Sequence, residues 1–344
     1  RRAACYNPLS GFEEEAMSSA RATFRRVWQK GLWKLGFRSL TPDRPSTLMV
    51  EPTNACNLRC PACPTGAGTL NRPPRAMTLA EFRGILDQAL DPPGYLRQVT
   101  LFNYGEPFLC RDLLAMVRLC AGRGVRTFTS TNGHFFTSDA VADEIVASGL
   151  TELVVCLDGA DQETIGRYRR NASFEEIVAG LRRLLGARAR AGGRGPRVEL
   201  QFIVMKHNER QTEAMRRLAG ELGVDRFILK TVGIRAGGPS FQRLAEELLP
   251  ADLSQSRYER RKDGAFALRG DPPRGCEYIL STLVVNSNGD AVPCCYDVDS
   301  DFVMGNLFRV AGIGVAGGAL SGIPPAGAEG PRSSGDVPAL SGGA

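Results

Sequence analysis

An α/β fold built on a parallel sheet is the class this sequence predicts, and three observations predict it. From residue 47 onward, short apolar segments alternate with longer stretches of helical periodicity. Six such strand–helix units follow one another, and parallel neighbours need crossovers of this length. The residue clusters with chemical character all fall just after the strand segments, where barrels and open sheets both build their sites.

The expected strands are Leu48–Pro52, Gln98–Phe102, Arg126–Ser130, Glu152–Leu157, Val198–Met205 and Arg226–Lys230. Between them, helical patterns occupy 78–90, 111–122, 138–148, 174–190 and 209–222. Right-handed crossovers would curl such a sheet into an open barrel. A doubly wound sheet has the same alternation, so periodicity leaves both open.

Ahead of this core, residues 13–36 carry apolar positions at helical spacing among charges. They read as an amphipathic helix packed on the domain, and a Pro-bearing link completes an N-terminal segment, 1–46. The barrel-like core is expected over 47–235, an Arg-, Gly- and Pro-rich connector over 236–275, and a second Cys-bearing unit over 276–308. In the tail, 309–344, 25 of 36 residues are Gly, Ala, Pro or Ser and none is aromatic. Such a composition cannot build a core. GC-rich DNA read out of frame produces it, and a one-base shift with GC-rich codons turns Val337–Ser341 into Cys-Pro-Arg-Cys-Pro. The tail is therefore expected to be disordered or frameshifted.

The chain is 43% hydrophobic and 23% charged, with no apolar run approaching the roughly 18 residues of a membrane span. No signal peptide is visible, so a cytoplasmic protein is expected. The net charge of +6 comes from scattered residues, and 38 of the 43 basic ones are Arg. No basic run interleaves with aromatics, which argues against nucleic-acid binding. With ten Cys and two His, His134 and His207, the reactive equipment is sulfur. Clustered Cys without a secretion signal suggest metal before disulfides.

The stretch Glu51-Pro-Thr-Asn-Ala-Cys56-Asn-Leu-Arg-Cys60-Pro-Ala-Cys63-Pro opens a loop after the first strand. Three soft thiolates at C-x3-C-x2-C spacing can fold round one iron–sulfur cluster. Three ligands leave the fourth iron of a cubane open to a substrate or cofactor. A zinc site would want a fourth Cys or His nearby, and none occurs before Cys110.

Here the sequence resembles the radical S-adenosylmethionine (SAM) superfamily, whose signature is this spacing after the first strand of a partial (β/α)6 TIM-like barrel. The resemblance covers roughly residues 47–308. It implies a [4Fe–4S] cluster on Cys56, Cys60 and Cys63, whose open iron binds SAM. One electron then cleaves SAM to methionine and a 5′-deoxyadenosyl radical that abstracts hydrogen from substrate. Asn103-Tyr-Gly-Glu-Pro107 is similar to the family's Gly-Gly-Glu-Pro element, with Tyr104 in place of the first Gly. By this likeness Gly105 and Glu106 receive the SAM amino group. Ser130-Thr-Asn132-Gly and Leu157-Asp158-Gly match positions lining the SAM ribose and carboxylate, and Arg169 is a further carboxylate candidate. Ala62 stands where many members place an aromatic over the adenine.

Cys276, Gly289-x4-Cys294, Cys295-Tyr-Asp and Met304-Gly-Asn-Leu-Phe308 resemble the start of a SPASM or twitch domain. Val284–Asn286 and Ala291–Pro293, flanking Asn288-Gly289, read as its small β-hairpin. The family then implies Cys276 and Cys294 as ligands of an auxiliary [4Fe–4S] cluster. The later C-x2-C that would complete the set is absent, and Cys295 is a weaker candidate. Cys110, Cys120 and Cys156 lie in strand or helix patterns and are expected in the core.

The expectation is a radical SAM enzyme of oxidoreductase or maturase type, fed by an electron donor such as flavodoxin or ferredoxin, acting on a peptide or protein. Alternatives are a sugar or aminoglycoside-type substrate, or an iron–sulfur electron-transfer or binding protein without catalysis. An electron carrier has no use for Gly105, Glu106, Ser130 or Asp158 as a SAM pocket.

Overall fold

The structure, a computed structural model, describes residues 45–91, 93–235, 238–254, 256–270, 277–309, 314–316 and 319–321. The amphipathic helix expected over 13–36 lies outside them, as do Cys276 and most of the tail.

The six expected strands form as β1 Thr47–Val50, β2 Gln98–Leu101, β3 Arg126–Thr131, β4 Glu152–Cys156, β5 Arg197–Val204 and β6 Arg226–Thr231. They pair in parallel, each with the next in sequence. A doubly wound sheet must reverse its strand order at a switch point, so this sequential order selects the barrel type.

The crossover helices are α1 Leu79–Leu90, α2 Leu113–Gly122, α3 Asp139–Ala147, α5 Phe174–Arg190 and α6 Thr212–Leu222, with a short α4 Gln162–Tyr168 that periodicity did not single out. Local chemistry sets their starts. Thr78 and Glu81 form a reciprocal capping box on α1, and Ser138, Asp161 and Ser173 accept from the first turns of α3, α4 and α5. Helix α5 buries Ile177, Leu181 and Leu184 completely, each worth about 1.5–3 kcal/mol.

Strand residues alternate between two environments, as the pleat requires. Leu48, Val50, Val99, Leu101, Leu153 and Val155 pack with the helices in the main core, together with Cys110 and Cys120 as expected. Met49, Phe128, Val154 and Cys156 face the other way, into the lumen. Cys156 is thus a lumen residue, because it sits in phase with Val154 rather than Val155.

The second Cys-bearing unit is part of the same sheet. Its hairpin, β9 Thr282–Val285 and β10 Asp290–Val292, adds β9 parallel to β1, with Thr47 opposite Thr282 and Val50 opposite Val285. Strand β11, Gly305–Asn306, pairs with β10, giving the order β11-β10-β9-β1-β2-β3-β4-β5-β6. The stretch read as a connector contains more structure than its composition suggests. It holds helix α7, Gly238–Leu248, with Leu244, Ala245 and Leu248 buried, and the antiparallel pair β7 Tyr258–Arg260 and β8 Phe266–Leu268. In the tail, Gly314–Ala316 pairs antiparallel with Ala319–Ser321. Among the described residues, no helix is long and apolar enough to cross a membrane.

Candidate functional site

The loop after β1 carries Cys56, Cys60 and Cys63. It closes with the Cys63 amide donating to the Cys60 carbonyl (3.2 Å), then enters one helical turn, Pro64–Ala67. Gly66 lies so close that a Cβ there would come within 2.5 Å of the Cys60 nitrogen, so no larger residue fits behind the cysteine.

Burial pushes the Cys56 thiol up and the Cys60 thiol up to about 12. Nearby Arg169 pulls both back in part, while Cys63 raises both and Cys56 raises Cys60 further. Left alone, they stay protonated; a bound cationic cluster is what would ionise them. Among the described residues, no three His, Cys, Asp or Glu side chains gather as ligands of one metal ion. Three thiols on one short loop, within electrostatic range but not converged on a point, fit a cluster whose irons each take one cysteine.

Strand-end groups from β2, β3 and β4 surround this loop. Gly105 has φ +87° and packs against it so tightly that a Cβ would fall 2.3 Å from the Thr53 carbonyl oxygen. The Glu106 amide donates to the Ala55 carbonyl at 2.8 Å. The Glu106 carboxylate is 2% exposed, and desolvation raises it to about 7 against hydrogen bonds that lower it. It accepts from Thr131 Oγ1 (2.8 Å), the Asn132 amide (2.8 Å) and the Phe108 amide (3.2 Å). Three of about four lone-pair positions are therefore engaged within the protein, and Glu106 fastens the β3 loop to the β2 loop. This positioning work was not visible in the motif.

Asn132 in turn donates from Nδ2 to Asn57 Oδ1 (2.7 Å), inside the cysteine loop. Asp158 is fully buried and pairs with Arg169 Nε at 2.7 Å, while its other oxygen accepts from the Ile203 amide at 2.7 Å. Asp158 and Arg169, eleven residues apart, thus form one buried unit beside Cys60. Ser130 stands apart from them, with Oγ 3.4 Å from Cys156 Sγ in the lumen. Gln201 Nε2 also approaches that sulfur, at 3.3 Å.

Sequence reading passed over Glu51 and Arg72. Glu51 is fully buried at the end of β1, and Arg72 grips it with two bonds of 2.6 and 2.7 Å. The same carboxylate accepts from the Tyr104 and Ser287 amides, at 3.3 and 3.1 Å. Arg72 Nε continues to the Val298 carbonyl (2.8 Å), and Asn71 binds Asp299 through its amide and side chain (2.8 and 3.1 Å). One buried ion pair therefore joins the return of the cysteine loop, the β2 loop and the hairpin turn. The signal was present, since an acidic residue closing an apolar strand is rarely left buried without a partner.

The element Asn103–Pro107 faces two ways. Gly105 and Glu106 serve the cysteine loop, whereas Asn103 and Tyr104 reach the second unit. Asn103 Nδ2 donates to Asn286 Oδ1 (3.2 Å), and the buried Tyr104 hydroxyl donates to the Cys295 carbonyl (2.8 Å). Tyr104 avoids left-handed backbone, where Asn171 and Ser300 are the described non-glycine residues. The position accepts a side chain without strain.

Cys294 and Cys295 follow β10. The Cys295 thiol donates to Cys294 and lowers it, and the same bond with burial raises Cys295. Cys276 lies outside the described residues, so its relation to Cys294 does not enter the geometry.

Residues 50–219 match the family model described as the radical SAM superfamily, and 276–312 match that of an iron–sulfur cluster-binding domain, SPASM. The mycofactocin maturase MftC of Mycobacterium tuberculosis (strain ATCC 25618 / H37Rv) is 26% identical over 290 residues, covering 78% of this chain and 69% of the maturase. The AdoMet-dependent heme synthase of Methanosarcina barkeri is 27% identical over 232 residues, covering 66% and 62%. Among solved structures, Streptococcus suis SuiB bound to its precursor peptide SuiA superposes with a TM-score of 0.57 at 16% identity, covering 87% of this chain and 70% of SuiB.

Proposed function

Because this chain belongs to the radical SAM superfamily and carries a SPASM-type iron–sulfur unit, we propose that it is a maturase-like enzyme that modifies a peptide by hydrogen abstraction. One observation carries the reading: groups from the ends of β2, β3 and β4 converge on a single three-thiol loop. The maturase name of MftC and the peptide bound to SuiB favour a peptide over a sugar.

In this reading, Cys56, Cys60 and Cys63 would hold the cluster. When bound, the cluster would supply the electron for SAM cleavage. The protein supplies placement. Glu106 fixes the β2 and β3 loops, leaving the Gly105 segment and one Glu106 lone pair for the SAM ammonium. Asn132 and Ser130 present polar groups at the β3 end, and Arg169, held by Asp158, offers a cation to the SAM carboxylate. Burial at the strand ends excludes water from the site. Cys276 and Cys294 contribute to an auxiliary cluster, and a one-electron carrier of the ferredoxin or flavodoxin class feeds the reaction. The tail from about 309 is read out of frame, which explains a SPASM ligand set without its last pair.

Anaerobically reconstituted protein, given dithionite and SAM, should yield 5′-deoxyadenosine and methionine. Iron-loaded protein that neither binds nor cleaves SAM would overturn the reading in favour of an electron carrier.

A further inference from the structure

The wall of the lumen opposite the cysteine loop is cationic. After β6 the chain passes through Val232–Ile234, where the Ile234 amide donates to Tyr258 Oη at 2.9 Å, and then presents Arg235. The Arg235 guanidinium lies 3.5 Å from the centre of the Tyr296 ring and 6.0 Å from that of Tyr104. These aromatic faces come from the hairpin side and from the β2 loop. Arg235 therefore bridges the two edges of the open sheet, β6 on one side and the hairpin on the other.

Two more cations share this wall. Arg257 Nη1 donates to Tyr296 Oη at 3.0 Å. Lys230, half-buried on β6, lies within electrostatic range of Arg257 and Cys156. Of the acids nearby, Glu199 is engaged through Oε1 alone, its Oε2 being buried without a hydrogen-bond partner among the described residues. Glu199, which faces Lys230, pairs with Arg197 and Arg226 at 2.6 and 3.6 Å. Asp297, near Cys294, accepts from the Asp301 and Phe302 amides at 2.8 and 3.0 Å.

Arg235 is one of the groups that this environment leaves incomplete. Its Nη1 is buried and has no hydrogen-bond partner among the described residues. Stacking on Tyr296 fixes the plane of the guanidinium, and its side-chain hydrogen bond to Cys295 still leaves Nη1 without an acceptor. A buried guanidinium nitrogen without an acceptor is costly, and a carboxylate is the group its planar fork matches. Position suits substrate as well, because Tyr104 lies within electrostatic range of both Arg235 and Cys63. An anion held by Arg235 would sit across Tyr104 from the cysteine loop.

We infer that Arg235, backed by the charges of Arg257 and Lys230, is a recognition site for a carboxylate of the substrate. Resting on the peptide reading above, this makes the substrate an acidic peptide, engaged through its C-terminal or side-chain carboxylate. Arg235 also faces the Cys294 and Cys295 thiols. A role confined to those thiols would give no preference among probes.

The test uses reconstituted protein with SAM present and three probes: a pool of acetylated dipeptides with free C-terminal carboxylate, the same pool as carboxamides, and coproporphyrin, a non-peptide polycarboxylate. Binding is read by equilibrium dialysis at low and high salt. Wild-type protein should prefer acid to amide by about tenfold, less at high salt. Arg235→Gln should reduce that preference to below about twofold, and Arg235→Lys should keep part of it. Arg257→Gln, a second charge removal at a separate position, should weaken it less. Circular dichroism confirms that each variant is folded. Equal binding of acids and amides, or a preference that survives Arg235→Gln, overturns the carboxylate site and leaves the peptide reading intact. Coproporphyrin binding that depends on Arg235, without peptide binding, keeps the site and overturns the peptide. Binding of no probe, or none that depends on Arg235, overturns the proposal.

Discussion

The cysteine loop after β1 and the cysteine pair after β10 belong to one sheet, with only β9 between their strands, yet they are built differently. The loop holds its three thiols within eight residues, so chain connectivity alone keeps them near one another. It is then fastened from outside at Ala55 by Glu106, at Asn57 by Asn132, and at Arg59 by the Arg170 carbonyl (3.1 Å). Cys294 has no such local set. Its position depends on the hairpin, and the hairpin depends on β1, on Ser287 reaching Glu51 and on Tyr104 reaching Cys295. The first centre is self-assembled; the second inherits its geometry from the first. Glu51 is the residue they share.

The sharpest way to separate the two centres is to remove a thiol from each. Cys60→Ala should abolish iron at the loop and all 5′-deoxyadenosine formation. Cys294→Ser should lower total iron while SAM cleavage continues. Equal loss of cleavage in both would show one cooperative centre in place of two.

Their shared anchor comes next. Glu51→Gln leaves Arg72 buried without its counter-charge, which should cost about 3–5 kcal/mol in urea unfolding. Protection from hydrogen exchange should fall at both the 71–75 return and the 286–300 turn. Loss at one alone would mean that the centres are held separately.

Glu106 belongs only to the loop side, and its effect depends on pH. Its carboxyl is raised to about 7 in the folded protein, from an ordinary 4.5. Between those values the folded state binds more protons than the unfolded state, so stability should fall as pH rises through this window. The full span corresponds to about 3 kcal/mol, on an order-of-magnitude scale. Glu106→Gln should flatten the profile, and an unchanged slope would assign it to another group.

Tyr104→Phe is the mildest change and points the other way. It removes one buried hydrogen bond to the Cys295 carbonyl, at a cost of about 1 kcal/mol. Hairpin exchange should quicken while loop iron stays constant. Lost loop iron would mean that Tyr104 supports both centres.

By itself, the sequence determined the sheet class, the six parallel strands to within two residues, and the three-thiol loop. Each rests on interactions close along the chain: alternation fixes strands, capping residues fix helix starts, and spacing fixes which cysteines can share a cluster. Composition was a poorer guide over 236–275, where Arg and Gly masked the apolar face of α7. Tertiary structure alone decided the rest. It chose the sequential strand order over a doubly wound one, placed the hairpin on the edge of β1, and turned Cys156 into the lumen. It also paired Asp158 with Arg169, Glu51 with Arg72, and Arg235 with two tyrosines from distant segments. Those contacts join residues far apart in the chain, and buried charge is what selects them. A carboxylate or guanidinium removed from water must find its partner wherever the fold brings one, and no local pattern records where that will be.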